Sequence, residues 1–223
     1  RPDGDLSFRE RAPGEYDTES VTAGVDLTVE SIDDHVGETV TLTGQVAQIN
    51  QTGGPTIFQV RDGTGVVPCA AFEDAGVRAY PTVDVDDYVS VTGRVETRDG
   101  GHQIEVDDLD AIEGEQRDAV AETVAFETET AAEPNDVDPL VEWEPFEPLA
   151  EDLREVATLL RKTVLEGRPL RMRHHADGDG ICASVPVQLA LERYIEQTHE
   201  DPQAAQHLIK RLPAKAPCYE RED

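Results

Sequence analysis

Between positions 27 and 113, apolar residues alternate with polar ones in short segments. Val40, Leu42 and Val46 lie on one face of an extended chain, as in a strand with one buried side. The pattern predicts strands at residues 40–49, 57–60, 66–72, 88–95 and 103–106, with a short helix at 73–81. Five strands with a helix between the third and the fourth is the order of an OB-fold, a small and partly open barrel.

Residues 148–223 have a different periodicity. Apolar residues spaced by three and four, from Leu149 to Val164, predict an amphipathic helix that ends near Gly167. A short alternating strand at 170–174, a loop and a second helix follow; Pro186 indicates that this second helix begins near Ser184 or bends there. This order is typical of the start of a parallel α/β sheet. The predicted fold class is therefore α+β multidomain.

The two patterned regions are separated by polar and acidic segments. We predict an acidic leader at 1–26, the OB-fold domain at 27–113, an acidic linker at 114–147 and the first part of an α/β domain at 148–223. The chain begins with arginine rather than methionine and ends on a charged run. We therefore expect a piece of a longer protein.

The chain is strongly acidic, with 48 Asp and Glu residues, 19 Lys and Arg residues and a net charge of −29. This composition suggests a halophilic protein that stays soluble in concentrated salt. The charge weakens a nucleic-acid hypothesis without excluding it, because molar salt screens repulsion beyond about 3 Å. A nucleic-acid binder under such conditions must rely on stacking and short-range hydrogen bonds.

Cysteine usage and hydropathy indicate the compartment. Cys69, Cys182 and Cys218 are far apart and form no C-x-x-C pair, as expected of reduced thiols in a cytoplasmic protein. Apolar runs of membrane-spanning length are absent from the sequence. We therefore expect no membrane partner.

The loop from His175 to Gly180 contains the candidate chemistry. It combines an imidazole with the carboxylates of Asp177 and Asp179, between a predicted strand and a predicted helix. Oxygen ligands with one imidazole suit Mn²⁺ or Mg²⁺ better than zinc. An ordinary Asp-Gly turn is the alternative, because such turns are frequent in acidic chains.

Residues 173–184, with the sequence R-H-H-A-D-G-D-G-I-C-A-S, resemble the first motif of the DHH phosphoesterases, especially the RecJ-like single-strand exonucleases. The resemblance implies manganese ligands at His175, Asp177 and Asp179, and catalytic roles for the two aspartates. The chain departs from the family in lacking its later acidic motif, its Asp-His-His motif and its C-terminal substrate-binding domain. We therefore expect this chain to be nearly inactive alone.

The sequence of the predicted barrel also resembles a known type of domain. The pattern V-x-L-x-G-x-V, followed by Asp-Gly-Thr-Gly, is similar to the anticodon-binding type of OB-fold nucleic-acid domain, over residues 38–112. The second and third strands would then carry the contacts. The candidate nucleic-acid-binding residues are Gln59, Arg61, Arg94 and His102.

Three functions remain open from the sequence. The first is a manganese-dependent phosphodiesterase or exonuclease on single-stranded DNA or RNA, with the OB-fold guiding the strand. The second is the same chemistry on short oligonucleotides or cyclic dinucleotides. The third is a non-catalytic single-strand-binding protein.

Overall fold

The computed structural model describes residues 24–51, 53–73, 77–139, 141–142 and 144–214. The strands are β1 (Val25–Leu27), β2 (Thr39–Gln51), β3 (Thr56–Arg61), β4 (Val66–Ala71), β5 (Tyr88–Arg98), β6 (Gly101–Ala111), β7 (Leu170–His175) and β8 (Ile209–Ala214). The helices are α1 (Gly114–Ala132), α2 (Phe146–Leu165), α3 (Gly178–Thr198) and α4 (Ala204–Leu208), with a 3₁₀ helix at Val29–His35.

Strands β2 to β6 close into a barrel. β2 pairs antiparallel with both β3 and β5, β3 pairs with β4, and β5 pairs with β6. A parallel pairing between β4 and β6, at Cys69↔Ile104 and Ala70↔Glu105, completes the circle. This five-stranded closure confirms the predicted OB-fold, and with the helices and parallel strands that follow it gives the predicted α+β class.

The barrel interior is apolar. Its inward-facing residues come from every strand of the barrel, mostly at alternate positions, and Phe58, Val60, Val91 and Ile104 among them have no exposed surface. The Phe58 ring meets Tyr80 edge to face, with 6.4 Å between ring centroids. The alternation visible in the sequence is thus the alternation between core and surface.

The predicted helix at 73–81 is not found in its described part. Residues 77–87 run through turns, with Tyr80 at φ 46°, and residues 74–76 lie outside the described residues. Strands β5 and β6 are also longer than predicted, because they continue to a tight turn at Asp99 and Gly100.

Most of the predicted acidic linker is helical. Helix α1 spans Gly114–Ala132 and buries only Val124, Thr128 and Ala132. Because so few positions are buried, the helix has no clear apolar stripe. The sequence pattern therefore indicated a linker. The helix forms because Ala and Glu have high helix propensity and because these residues pack against neighbouring elements.

The second unit consists of α2, β7, α3, α4 and β8. Gly167 follows α2 with φ 65°, and the N–H of Arg168 donates to the Thr163 carbonyl at 3.1 Å, as in a Schellman motif. β7 and β8 pair in parallel from Leu170↔Ile209 to His175↔Ala214. Helix α3 begins at Gly178, earlier than predicted, and Pro186 lies inside it.

The two units are in direct contact. The Glu200 N–H donates to the Val66 carbonyl of β4 at 2.9 Å, and Gln48 Nε2 donates to the Gly167 carbonyl at 2.9 Å. Arg161 of α2 donates from Nε and Nη2 to the last carbonyls of α1, Ala132 and Ala131. Among the described residues, no helix is long and apolar enough to cross a membrane.

Candidate functional site

The candidate metal loop joins β7 to α3. Asp177 is the N-cap of α3, and its Oδ1 accepts a hydrogen bond from the Gly180 N–H at 2.8 Å. His175 is the last residue of β7, and its Nδ1 donates to Asp177 Oδ2 at 2.6 Å. The strand end and the helix start therefore hold the imidazole and one carboxylate face to face.

The electrostatics of Asp177 follow from these contacts. The Gly180 N–H and the His175 side chain hold the pKa of its carboxyl below the usual value. The side chain is half exposed to solvent, with a relative surface of 49%. Asp177 is therefore an accessible carboxylate that stays ionised in acid better than an ordinary aspartate.

His174 lies beside the pair and is partly buried. Its Nδ1 donates to the His175 carbonyl at 2.8 Å. The Nε2 atom of His174 is buried and has no hydrogen-bond partner among the described residues.

The donor set is only partly suited to manganese. An imidazole and a carboxylate already in contact are appropriate ligand types for Mn²⁺. Asp179 is exposed in the first turn of α3, and no group of three or more His, Cys, Asp or Glu side chains within the described ranges is placed to hold a metal ion. His175 and Asp177 would therefore need further ligands from elsewhere.

The candidate nucleic-acid residues fall into different environments. Gln59 lies half-buried on the outer face of β3, where it lines a cleft. Arg61 points toward α1: it donates to Gln45 Oε1 from Nη2 at 2.6 Å and to Thr128 Oγ1 from Nη1 at 3.2 Å. Burial lowers the pKa of Arg61. Its contacts favour a structural role that ties the barrel to α1.

Arg94 and His102 differ in their exposure and in their contacts. Arg94 is exposed on β5, with Thr39 as its cross-strand neighbour on β2. His102 Nδ1 donates to Glu200 Oε2 at 2.8 Å and lies 3.4 Å from Asp33 Oδ1. His102 therefore joins the barrel to the second unit rather than lying in solvent.

Sequence patterns did not single out the residues around Gln59. Asn50, Pro68, Gln103 and Asp201 line the same cleft between the barrel and the segment after α3. Strand alternation could have placed Gln103 on the outer face, because its neighbour Ile104 faces the core. Asp201 carries no comparable signal, since its position depends on how the two units dock.

Comparison with known families supports the assignment of the barrel. Residues 40–112 match the family described as "tRNA_anti-codon: OB-fold nucleic acid binding domain". The match begins in β2 and ends just after β6, so it covers the closed barrel. The barrel is thus an OB-fold of the nucleic-acid-binding type.

Relatives extend beyond the barrel. An uncharacterized protein of Methanocaldococcus jannaschii is 43% identical over 187 residues, which is 83% of this chain and 25% of that protein. An asparagine–tRNA ligase of Roseiflexus sp. is 29% identical over 93 residues, 39% of this chain and 21% of the ligase. The chain therefore spans about a quarter of the length of these curated relatives or less.

A solved structure also aligns with the chain. It is described as the DHH domain of a member of the s1p family of ribosomal proteins, and it is 40% identical, with a TM-score of 0.46. The alignment covers 48% of this chain and 24% of that structure.

Proposed function

We propose that this chain contributes the strand-binding barrel and one corner of the active site of a manganese-dependent phosphodiesterase that acts on single-stranded nucleic acid. The observation that carries the proposal is the docking of a nucleic-acid-type OB-fold onto the unit that holds the His175–Asp177 pair. A binding barrel docked onto the unit that carries a candidate metal corner is suited to guiding a strand toward a reaction centre.

The proposed roles follow from the local geometry. Asp177, kept ionised by the Gly180 N–H, offers a carboxylate, and His175 offers an imidazole beside it. Bound manganese would supply Lewis-acid activation of water and would neutralise charge on the phosphodiester. Asp179 is assigned as an additional ligand by the motif resemblance. Digestion of long strands rather than dinucleotides is favoured because a small substrate needs no separate strand-binding domain.

The proposal predicts an unusual salt dependence. Arg61, the one cationic residue within β3 and β4, is held by Gln45 and Thr128. Binding that depends on few phosphate contacts releases few counterions and falls only slowly with salt. This is compatible with a net charge of −29.

The decisive experiment compares hydrolysis rates in the full-length protein. With manganese and a single-stranded oligonucleotide, Asp177→Asn and His175→Gln are expected to lower the rate at least about tenfold, since even outer-shell changes at metal sites cost this much. Asp152→Asn, an exposed aspartate on α2, is the matched control and should retain the rate. A full rate in Asp177→Asn would contradict the metal-site assignment.

A second candidate is a non-catalytic single-strand-binding protein. The observation that favours it is the lack of a three-ligand group within the described residues. Strand binding by the full-length protein without manganese-dependent hydrolysis would support this candidate over the first.

A further inference from the structure

The two faces of the β7–β8 sheet differ in chemical character. Leu170, Met172 and Ile209 pack against the apolar cluster of the second unit, so they define the inner face of the sheet. Side chains of a strand alternate between its two faces, and the residues between these three therefore belong to the outer face. Arg171 and Lys210 share that outer face, and both are exposed.

Arg171 and Lys210, here named the basic pair, lie directly opposite each other. They are register partners in the parallel pairing of β7 with β8. Neighbouring strands are only about 4.8 Å apart, and like charges in this position weaken a strand pair. The basic pair therefore costs the sheet stability unless an anion lies against it.

The basic pair is not neutralised by nearby carboxylates. Other cations of the chain, such as Arg78, Arg154 and Lys162, each form an ion pair with an Asp or Glu side chain. Among the residues that the structure describes, neither Arg171 nor Lys210 makes an ion pair or a side-chain hydrogen bond. A shortage of carboxylates is not the reason, because the chain has 48 acidic residues. Two unpaired cations held side by side are thus available to an external anion.

The basic pair lies on the strand that leads to the candidate metal corner. Alternation along β7 places His175 on the same outer face as Arg171, four positions further along. His175 ends the strand and bonds Asp177, so the corner is about 13 Å from Arg171 along the strand. A nucleic-acid strand bound at the corner can therefore extend along the outer face and place another of its phosphates against the basic pair.

The chemistry of the basic pair fits a phosphodiester group. A guanidinium can donate two parallel hydrogen bonds to phosphate oxygens, and an ammonium beside it adds a compact positive charge. Contacts to phosphate fix the position of a strand without reading its sequence. The basic pair is therefore suited to positioning a strand.

We propose that the basic pair binds a backbone phosphate of the single strand that reaches the His175–Asp177 corner. The inference rests on the proposed function, because it assigns a phosphate contact on the strand that this function requires. The sheet that holds the metal corner at its end thereby also positions the strand along its outer face. Two contacts release few counterions, so they preserve the slow loss of affinity with salt.

The test measures the affinity of the full-length protein for a single strand in the absence of manganese, so that the strand stays intact. Arg171→Gln combined with Lys210→Gln should lower this affinity about tenfold at low salt, because two exposed charge contacts are lost. The slope of log affinity against log salt should become shallower by about 1.4, or about 0.7 for each contact. The loss should be equal on strands of different bases and on an abasic strand, since only the backbone is contacted.

Arg211→Gln is the matched control. Arg211 is exposed on β8, but its register partner is Met172, so it belongs to the other face of the sheet. Removing this charge should change affinity and salt slope little. Unchanged affinity in the double variant, or an equal loss in Arg211→Gln, would overturn the inference and leave the proposed function intact. Failure of the unmodified protein to bind any single strand would overturn both.

Thermal unfolding separates binding from a structural role of the basic pair. Removal of two opposed like charges should leave the unfolding midpoint of the double variant unchanged or raise it. A midpoint lower than that of Arg211→Gln would show that the basic pair holds the sheet together, and it would overturn the inference.

Discussion

The barrel and the second unit bury their apolar residues to very different degrees. The barrel closes five strands around a continuous core in which Phe58, Val60 and Ile104 are fully buried. The second unit has a two-stranded sheet and a small cluster around Val164, Leu191 and Ile195. Along α2, Leu153 remains 53% exposed, although it lies on the same stripe as the buried Val164.

This difference implies different sources of stability. A barrel without free edges and with a filled interior supplies its own cohesion. The second unit depends in part on contacts with its neighbours for its stability. Arg161 binds the end of α1, and His199 and Glu200 pair with the start of β4. We therefore expect the barrel to be the more stable unit. We expect the second unit to stay folded only while its interface with the barrel is intact.

The largest expected effect comes from the barrel core. Phe58→Ala removes a fully buried ring and should lower the free energy of unfolding by about 3–5 kcal/mol. Phe126→Ala, at a ring that is 67% exposed on α1, should change it by no more than about 0.5 kcal/mol. Denaturant titrations followed by circular dichroism measure both. If hydrogen exchange showed the second unit intact after the barrel had unfolded, its dependence on the barrel would be refuted.

A smaller effect is expected at the junction of α1 and α2. Arg161 caps the Ala131 and Ala132 carbonyls, and its guanidinium carbon lies 4.1 Å from the centroid of the Tyr194 ring. Arg161→Met should lower the free energy of unfolding by about 1.5–3 kcal/mol, because charged hydrogen bonds to carbonyls are lost. Amide exchange at the end of α1 should accelerate. Arg168→Met, at a largely exposed side chain, is the control; equal effects would show that the junction contributes nothing specific.

The smallest expected effect is a pH dependence of the interface. His199 is buried and donates from Nε2 to the Val164 carbonyl, and burial lowers its pKa below the ordinary 6.5. Between these two pKa values the unfolded state binds a proton that the folded state excludes, so stability falls as pH drops below about 6.5.

Comparison of variants isolates this contribution. Unfolding free energies between neutral pH and about pH 5 should fall less steeply for His199→Gln than for the unmodified chain. His207→Gln, at an exposed histidine on α4, should leave the slope unchanged. If unfolding free energy changed with pH at the same slope in all three proteins, His199 would not be a source of the pH dependence.

The sequence predicted the barrel well because its signals are local. Alternation around Val40 and Val60 gave strands with the correct inward faces, and Gly167 was identified as the end of α2. Helix α1 was missed since its stability depends on propensity and on contacts with distant residues. Arg61 was named as a candidate nucleic-acid contact, yet its long side chain reaches Thr128, a residue far along the chain.

The sequence by itself determined the strand order, the apolar core, the acidic charge and the local loop in which His175 and Asp177 meet, because each depends on neighbouring positions. Only the tertiary structure decided how the second unit lies on the barrel. That docking pairs His102 with Glu200 and forms the cleft lined by Gln59 and Gln103. Contacts between residues almost a hundred positions apart leave no periodic trace in one sequence, since nothing in the local pattern specifies which surfaces meet.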